Sequence, residues 1–185
     1  MTVVISLLRG VNLASYNRID MSALRALYES LGLRDAQTYV QSGNVIFRAE
    51  ARDVHGLPAR IEKEIDRRFG IRTDIILRTS SELRDVVARN PFAGRRDMDP
   101  RKLLVTFLAG DPDAEGRKKV LAIKAEPEEF YIDGREVYIY YANGLARPKL
   151  SWSAIAKSLK TPGTGRNWNS VTRMLEMAQR LEDSP

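Results

Sequence analysis

Thr38-Tyr39-Val40-Gln41-Ser42-Gly43-Asn44-Val45-Ile46-Phe47 is the stretch on which the fold turns. Thr38-Tyr39-Val40 and Val45-Ile46-Phe47 are β-branched and aromatic runs, and Ser42-Gly43-Asn44 between them are turn formers, so the segment reads as a β-hairpin. On its N-terminal side, Val3 to Leu8 is a short apolar run with the look of a buried strand. Between that strand and the hairpin, Asp20 can cap a helix carrying Met21, Leu24, Leu27, Tyr28 and Leu31 at helical spacing, and Gly32 ends it. On the C-terminal side, Pro58 opens a second helix with Ile61, Ile65 and Phe69 on one face, and Ile71 to Leu77 supplies a fourth strand. The order is β-α-β-β-α-β, the ferredoxin-like pattern. Its expected strand order is 4-1-3-2, with antiparallel central strands. That places Arg9-Gly10-Val11-Asn12, after the first strand, beside the Ser42-Gly43 turn.

The second half follows a related plan. Thr79-Ser80-Ser81-Glu82 is a capping box for a third helix through Leu83, Val86 and Val87, which Asn90-Pro91 ends. The polar, basic stretch Pro91 to Arg101 is the expected boundary, dividing the chain into a ferredoxin-like subdomain over 1–90 and a second α+β subdomain over 91–185. There, Leu103 to Leu108 reads as a strand, Asp111-Pro112 as a helix cap, and Asp133-Gly134 as the turn of a second hairpin. A helix over Trp152 to Leu159 follows. The C-terminal helix has Val171, Met174, Leu175, Ala178 and Leu181 on one face, with Asn169 as its expected cap. The expectation is an α+β chain whose second unit is β-α-β-β-α plus a C-terminal helix, with Thr161 to Arg166 as a glycine-rich loop before that helix.

The 185 residues are 43% hydrophobic and 29% charged, an ordinary globular balance that needs no disulfide or metal staple. There is no cysteine, which removes thiolate metal sites and cysteine nucleophiles. Thr2 to Leu8 is too short for a signal peptide, and no apolar run reaches the roughly 20 residues of a membrane helix, so a cytoplasmic protein without membrane association is expected. The net charge of +6 suits an anionic partner. The basic residues are scattered rather than blocked, so nucleic acid is not the favoured one.

Three segments carry a resemblance: Leu7-Leu8-Arg9-Gly10-Val11-Asn12, the hairpin Thr38 to Phe47, and Arg166-Asn167-Trp168-Asn169-Ser170-Val171-Thr172. In this order they are similar to the bacterial domain-of-unknown-function family 1697. The resemblance implies two α+β subdomains, the first ferredoxin-like, and implies no activity or catalytic residue. The chain departs from the family at Ala14-Ser15, where glycines are usual, at Tyr16, where lysine is common, and at Pro148, where serine is.

Candidate site residues cluster by topology. Arg9 and Asn12 offer a guanidinium and a carboxamide at a strand end, while Ser42 and Asn44 can present hydroxyl and amide groups to an anion. The same residues also serve plain turns. Arg166 and Asn167, at the start of a helix whose unpaired N–H groups favour anions, can close the site from the second half. Trp168 can stack on a base or serve as a packing anchor. Tyr131, Tyr138, Tyr140 and Tyr141 suit cross-strand packing better than a stacking platform. His55 stands alone, and Asp97 with Asp99 lacks a calcium-loop pattern, so neither a metal nor a cofactor is expected. The leading expectation is a binding module for a small phosphate- or carboxylate-bearing ligand. The alternatives are an enzyme stabilising an anionic transition state with arginine and asparagine, a nucleic-acid-contacting protein, and a structural partner-binding domain.

Overall fold

A computed structural model describes residues 1–13, 16–146 and 148–184. The chain forms two compact units, one of residues 1–85 with 173–185 and one of residues 86–172. In the first unit, β1 (Thr2–Leu8), α1 (Met21–Ser30), β2 (Arg34–Tyr39), β3 (Asn44–Ala49), α2 (Leu57–Phe69) and β4 (Ile75–Thr79) follow the expected order. The sheet order is β2-β3-β1-β4, and every pairing is antiparallel.

Local chemistry explains these bounds. Asp20 accepts a hydrogen bond from the Ala23 amide and caps α1. Pro58 lies in the first turn of α2, whose end is set by Gly70 in a left-handed conformation. The helix-facing residues of β1 and β3, Val4, Leu8, Val45 and Phe47, pack with Leu24, Leu27, Tyr28, Ile61 and Ile65. Val3, Ile5 and Leu7 are buried as well, which is why β1 reads as a continuous apolar run rather than an alternating one. Ser6 lies in this core because its hydroxyl pairs with that of Tyr28 at 2.7 Å, and burial pushes the tyrosine pKa up.

The capping box is present in full. Glu82 accepts from the Thr79 amide at 2.7 Å, and Thr79 accepts from the Glu82 amide at 3.2 Å, opening α3 (Ser80–Ala88).

The second unit contains β5 (Leu103–Leu108), α4 (Ala114–Leu121), β6 (Glu129–Asp133), β7 (Glu136–Tyr140), α5 (Trp152–Leu159), β8 (Gly163–Asn167) and the start of α6 (Trp168–Asp183). Its sheet order, β6-β7-β5-β8, repeats that of the first unit. Three expectations are corrected here. The stretch read as a glycine-rich loop is the strand β8, so this unit is also β-α-β-β-α-β. The cap of α4 is Asp113, which accepts from the Gly116 amide, rather than Asp111. The cap of α6 is Asn167, whose Oδ1 accepts from the Asn169 amide at 3.0 Å, so Asn169 lies inside the first turn.

The repetition is residue by residue. Leu8 N donates to Gly43 O and Arg9 N to Asp74 O; in the second unit Leu108 N donates to Arg135 O and Ala109 N to Pro162 O. Arg78 stands opposite Ile5 on β4, as Arg166 stands opposite Val105 on β8, and both arginines are buried. Asn44 and Glu136, opposite Leu7 and Phe107, are matched buried polar residues.

The aromatic residues of the second unit pack structurally. The Tyr138 hydroxyl donates to Val86 O at 2.8 Å, and the Tyr140 hydroxyl donates to Asp97 O. Phe92 meets Tyr131 and Tyr140 with ring centroids 5.3 and 5.5 Å away, and the Arg95 guanidinium lies over Phe92 and Tyr140.

Candidate functional site at the edge of the first sheet

Four of the predicted site residues converge at one end of the first sheet. Leu7 faces Asn44 across β1 and β3, which puts the loop after β1 against the four-residue connection Val40–Gly43. Two hydrogen bonds join the loops: Leu8 N to Gly43 O at 2.9 Å, and Asn12 Nδ2 to Gln41 O at 2.8 Å. Gly43 permits the approach. Its φ is +70°, and a Cβ there would stand 2.5 Å from Val11 Cγ2 and 2.8 Å from Leu8 Cβ.

The roles of the four differ. Asn12 braces its own loop: Oδ1 accepts from Ile19 N at 2.8 Å, and Nδ2 donates to Ile19 O at 3.1 Å as well as to Gln41 O. Asn44 is fully buried, and its Nδ2 donates to Tyr39 O and Ser42 Oγ at 3.0 and 2.8 Å. Both carboxamides therefore hold backbone in place. Arg9 is exposed, and its Nη1 donates to Asp74 at 2.7 Å. Thr73 Oγ1 donates to Arg9 O and fixes the strand end beneath that guanidinium.

The backbone here is unusual. Gly10, Asn12, Asn17, Val40 and Gly43 all have positive φ. For Val40 a φ of +50° is a genuine outlier, since a β-branched side chain is crowded in that region. Tyr16 is 76% exposed and Leu13 is 63% exposed on the same loop. No feature of the sequence pointed to Val40. Ala14-Ser15, where the chain departs from the family's glycines, lie outside the described residues.

Arg166 and Asn167 belong to β8 of the second unit, and the premise that Arg166 sits in a loop before a helix is overturned by the strand. Arg166 is 6% exposed; its Nη1 donates to Thr164 Oγ1 at 2.7 Å and to Gly165 O at 2.9 Å. Desolvation pushes its guanidinium pKa down to about 10. Asn167 caps α6 and also donates to Arg101 O at 3.0 Å. Asp97 and Asp99 pair with Arg95 and Arg101, whose guanidinium groups hold both carboxyls below their ordinary range.

Two units of one β-α-β-β-α-β plan make this a tandem ferredoxin-like α+β protein with a polar loop cluster on its first sheet. The chain belongs to the family described as protein of unknown function (DUF1697), which matches residues 1–138. The match ends before Arg166-Asn167-Trp168-Asn169. Among curated proteins none matches this chain. A solved structure, that of the conserved bacterial protein SP0830 from Streptococcus pneumoniae, is similar with a TM-score of 0.69 and 21% identity, covering 96% of this chain and 98% of that one. At that identity the likeness concerns the fold. No helix among the described residues is long and apolar enough to cross a membrane.

Proposed function

We propose that the protein is a binding module for a small anionic ligand, phosphate- or carboxylate-bearing, held where the loop after β1 meets the β2–β3 connection. The observation that carries this reading is Arg9. Its guanidinium is exposed at the same end of the sheet, turned toward the segment before β4, where Asp74 is its one side-chain partner among the described residues. An exposed pair of this kind contributes about 0–1 kcal/mol, so a ligand oxyanion can share or displace it. The remaining donors of the planar fork match a carboxylate or phosphate edge.

The surroundings support the same reading. The side-chain amides of Asn12, half-buried, and Asn44, fully buried, bind backbone of the two loops, so they act by positioning Arg9 and Ser42. Left-handed backbone gathered in two touching loops costs stability, and such strain clusters at binding sites. The net charge of +6 favours anion encounter.

Thermal melts in phosphate, acetate and chloride at matched ionic strength test the reading. Phosphate or acetate raises Tm above the chloride value in the wild type, and Arg9→Ala abolishes the increment while melting normally in chloride. Identical melts in all three salts, or an increment that survives Arg9→Ala, contradict the reading.

A further inference from the structure

At the other end of the first sheet lies a cavity of about 120 Å³. Thr2 pairs with Ala49 there, so β1 separates it from the Arg9 edge by on the order of 20 Å, at about 3.4 Å per residue. Leu33 and Leu57 form an apolar floor, and Arg34, Arg60, Glu50 and Asp53 supply two charges of each sign to the lining.

These charges do not cancel one another. Among the described residues no ion pair engages Arg34 or Glu50, and Asp53 makes only an exposed contact with Arg52 at 3.9 Å. Arg60 donates to Leu31 O at the C-terminal end of α1 and also lines the cavity. The second unit supplies an internal comparison. By its partner on the neighbouring strand, Arg34, opposite Arg48, answers to Glu129, opposite Tyr140, across a bulge that gives β2 one extra residue between Arg34 and Gln37. In the second unit that charge is neutralised, because Arg95 Nη1 donates to both Glu129 oxygens at 2.9 Å. In the first unit Arg34, of the opposite sign, lines an open cavity instead.

We propose that this cavity binds a small zwitterion, a molecule carrying an ammonium and a carboxylate a few bonds apart, of which a small α-amino acid is the simplest. A simple anion meets Glu50 and Asp53 there, and a simple cation meets Arg34 and Arg60; only a dipolar ligand satisfies both ends. The Arg34 fork takes the carboxylate. Glu50 and Asp53 take the ammonium, helped by the negative end of the α1 dipole. A cavity of about 120 Å³ suits a compact ligand whose two charged groups lie close together. This site shares no residue with the Arg9 edge, so either can fail without the other.

The test is amide NMR of the full chain titrated with glycine, and separately with acetate and with methylammonium. Glycine shifts the amides of residues 31–34 and 49–53 saturably, and each single-charge probe does so about tenfold more weakly or not at all. Arg34→Gln and Glu50→Gln each weaken glycine binding about tenfold or more, with unchanged thermal melts, and Arg9→Ala leaves it intact. Absence of glycine shifts, an equal response to acetate, or indifference to both variants overturns the proposal.

Discussion

Replacing Gly43 with alanine strikes the contact that joins the two candidate-site loops. The added Cβ would lie 2.5 Å from Val11 Cγ2 and 2.8 Å from Leu8 Cβ, both closer than such atoms approach in folded proteins. Leu8 is on the central strand β1 and Val11 is buried, so neither can swing away freely. Overpacking of this kind contributes about 1–3 kcal/mol, and the left-handed φ of +70° adds about 1–2 kcal/mol for a residue with a Cβ. The sum is about 3 kcal/mol, or roughly 6–12 °C in Tm for a chain of this length. Gly10→Ala is the internal control: its φ is +68°, but nothing lies within 4 Å of the added atom, so only the conformational part, about 1–2 kcal/mol, applies. Urea and thermal unfolding of both variants measure the difference. Equal destabilisation of the two, or a Gly43→Ala loss below about 0.5 kcal/mol, refutes the close approach of these loops.

Asn167→Ala lowers stability by about 1 kcal/mol through loss of the α6 cap, while Asn169→Ala stays within about 0.5 kcal/mol; denaturant melts with the opposite ranking contradict the cap assignment. Arg166→Ala removes a buried charged group together with its hydrogen bonds, those to Thr164 Oγ1 and Gly165 O among them, and lowers stability by on the order of 3 kcal/mol, whereas Arg9→Ala in the absence of ligand changes it by less than about 1 kcal/mol. Comparable losses in the two variants speak against these separate roles. Hydrogen bonds from Arg67 and then Arg68 lower the Glu64 carboxyl pKa to about 2. Because the folded value lies below the unfolded one, this contribution is present above about pH 4.5 and fades as pH falls toward 2. Carboxyl NMR shows a midpoint well below that of a free glutamate, rising in Arg67→Ala; an ordinary midpoint contradicts the pair.

Much of this architecture was legible because turn chemistry and periodicity agreed. The hairpin around Ser42-Gly43-Asn44, the Asp20 cap and the Thr79–Glu82 box all stand where residue type placed them, and the 4-1-3-2 order followed. The strand β8 was hidden by Gly163-Thr164-Gly165, which has the composition of a loop. Its glycines answer to β5: a Cβ at Gly163 would meet Leu108 and Thr106 at 3.0 Å, and one at Gly165 would meet Leu104 at 2.9 Å. With β8 unseen, Arg166 read as a loop cation rather than a buried strand residue. The order of elements shows a partial repeat in the sequence, but the residues show none, because the residue-level match resides in backbone bonds such as Leu8 N to Gly43 O and Leu108 N to Arg135 O, which glycine and arginine carbonyls make equally well. Asn12 was found, but residue type alone could not separate a ligand contact from the loop brace that its three hydrogen bonds describe.

The anion-binding reading of the Arg9 edge is tested most directly by locating where inorganic phosphate acts on the folded chain. In amide NMR of the wild type, the account predicts saturable shifts confined to residues 8–12 and 41–44, lost in Arg9→Ala and retained in Arg34→Gln. Shifts centred elsewhere, or an unaltered spectrum at phosphate concentrations that raise Tm, would contradict it.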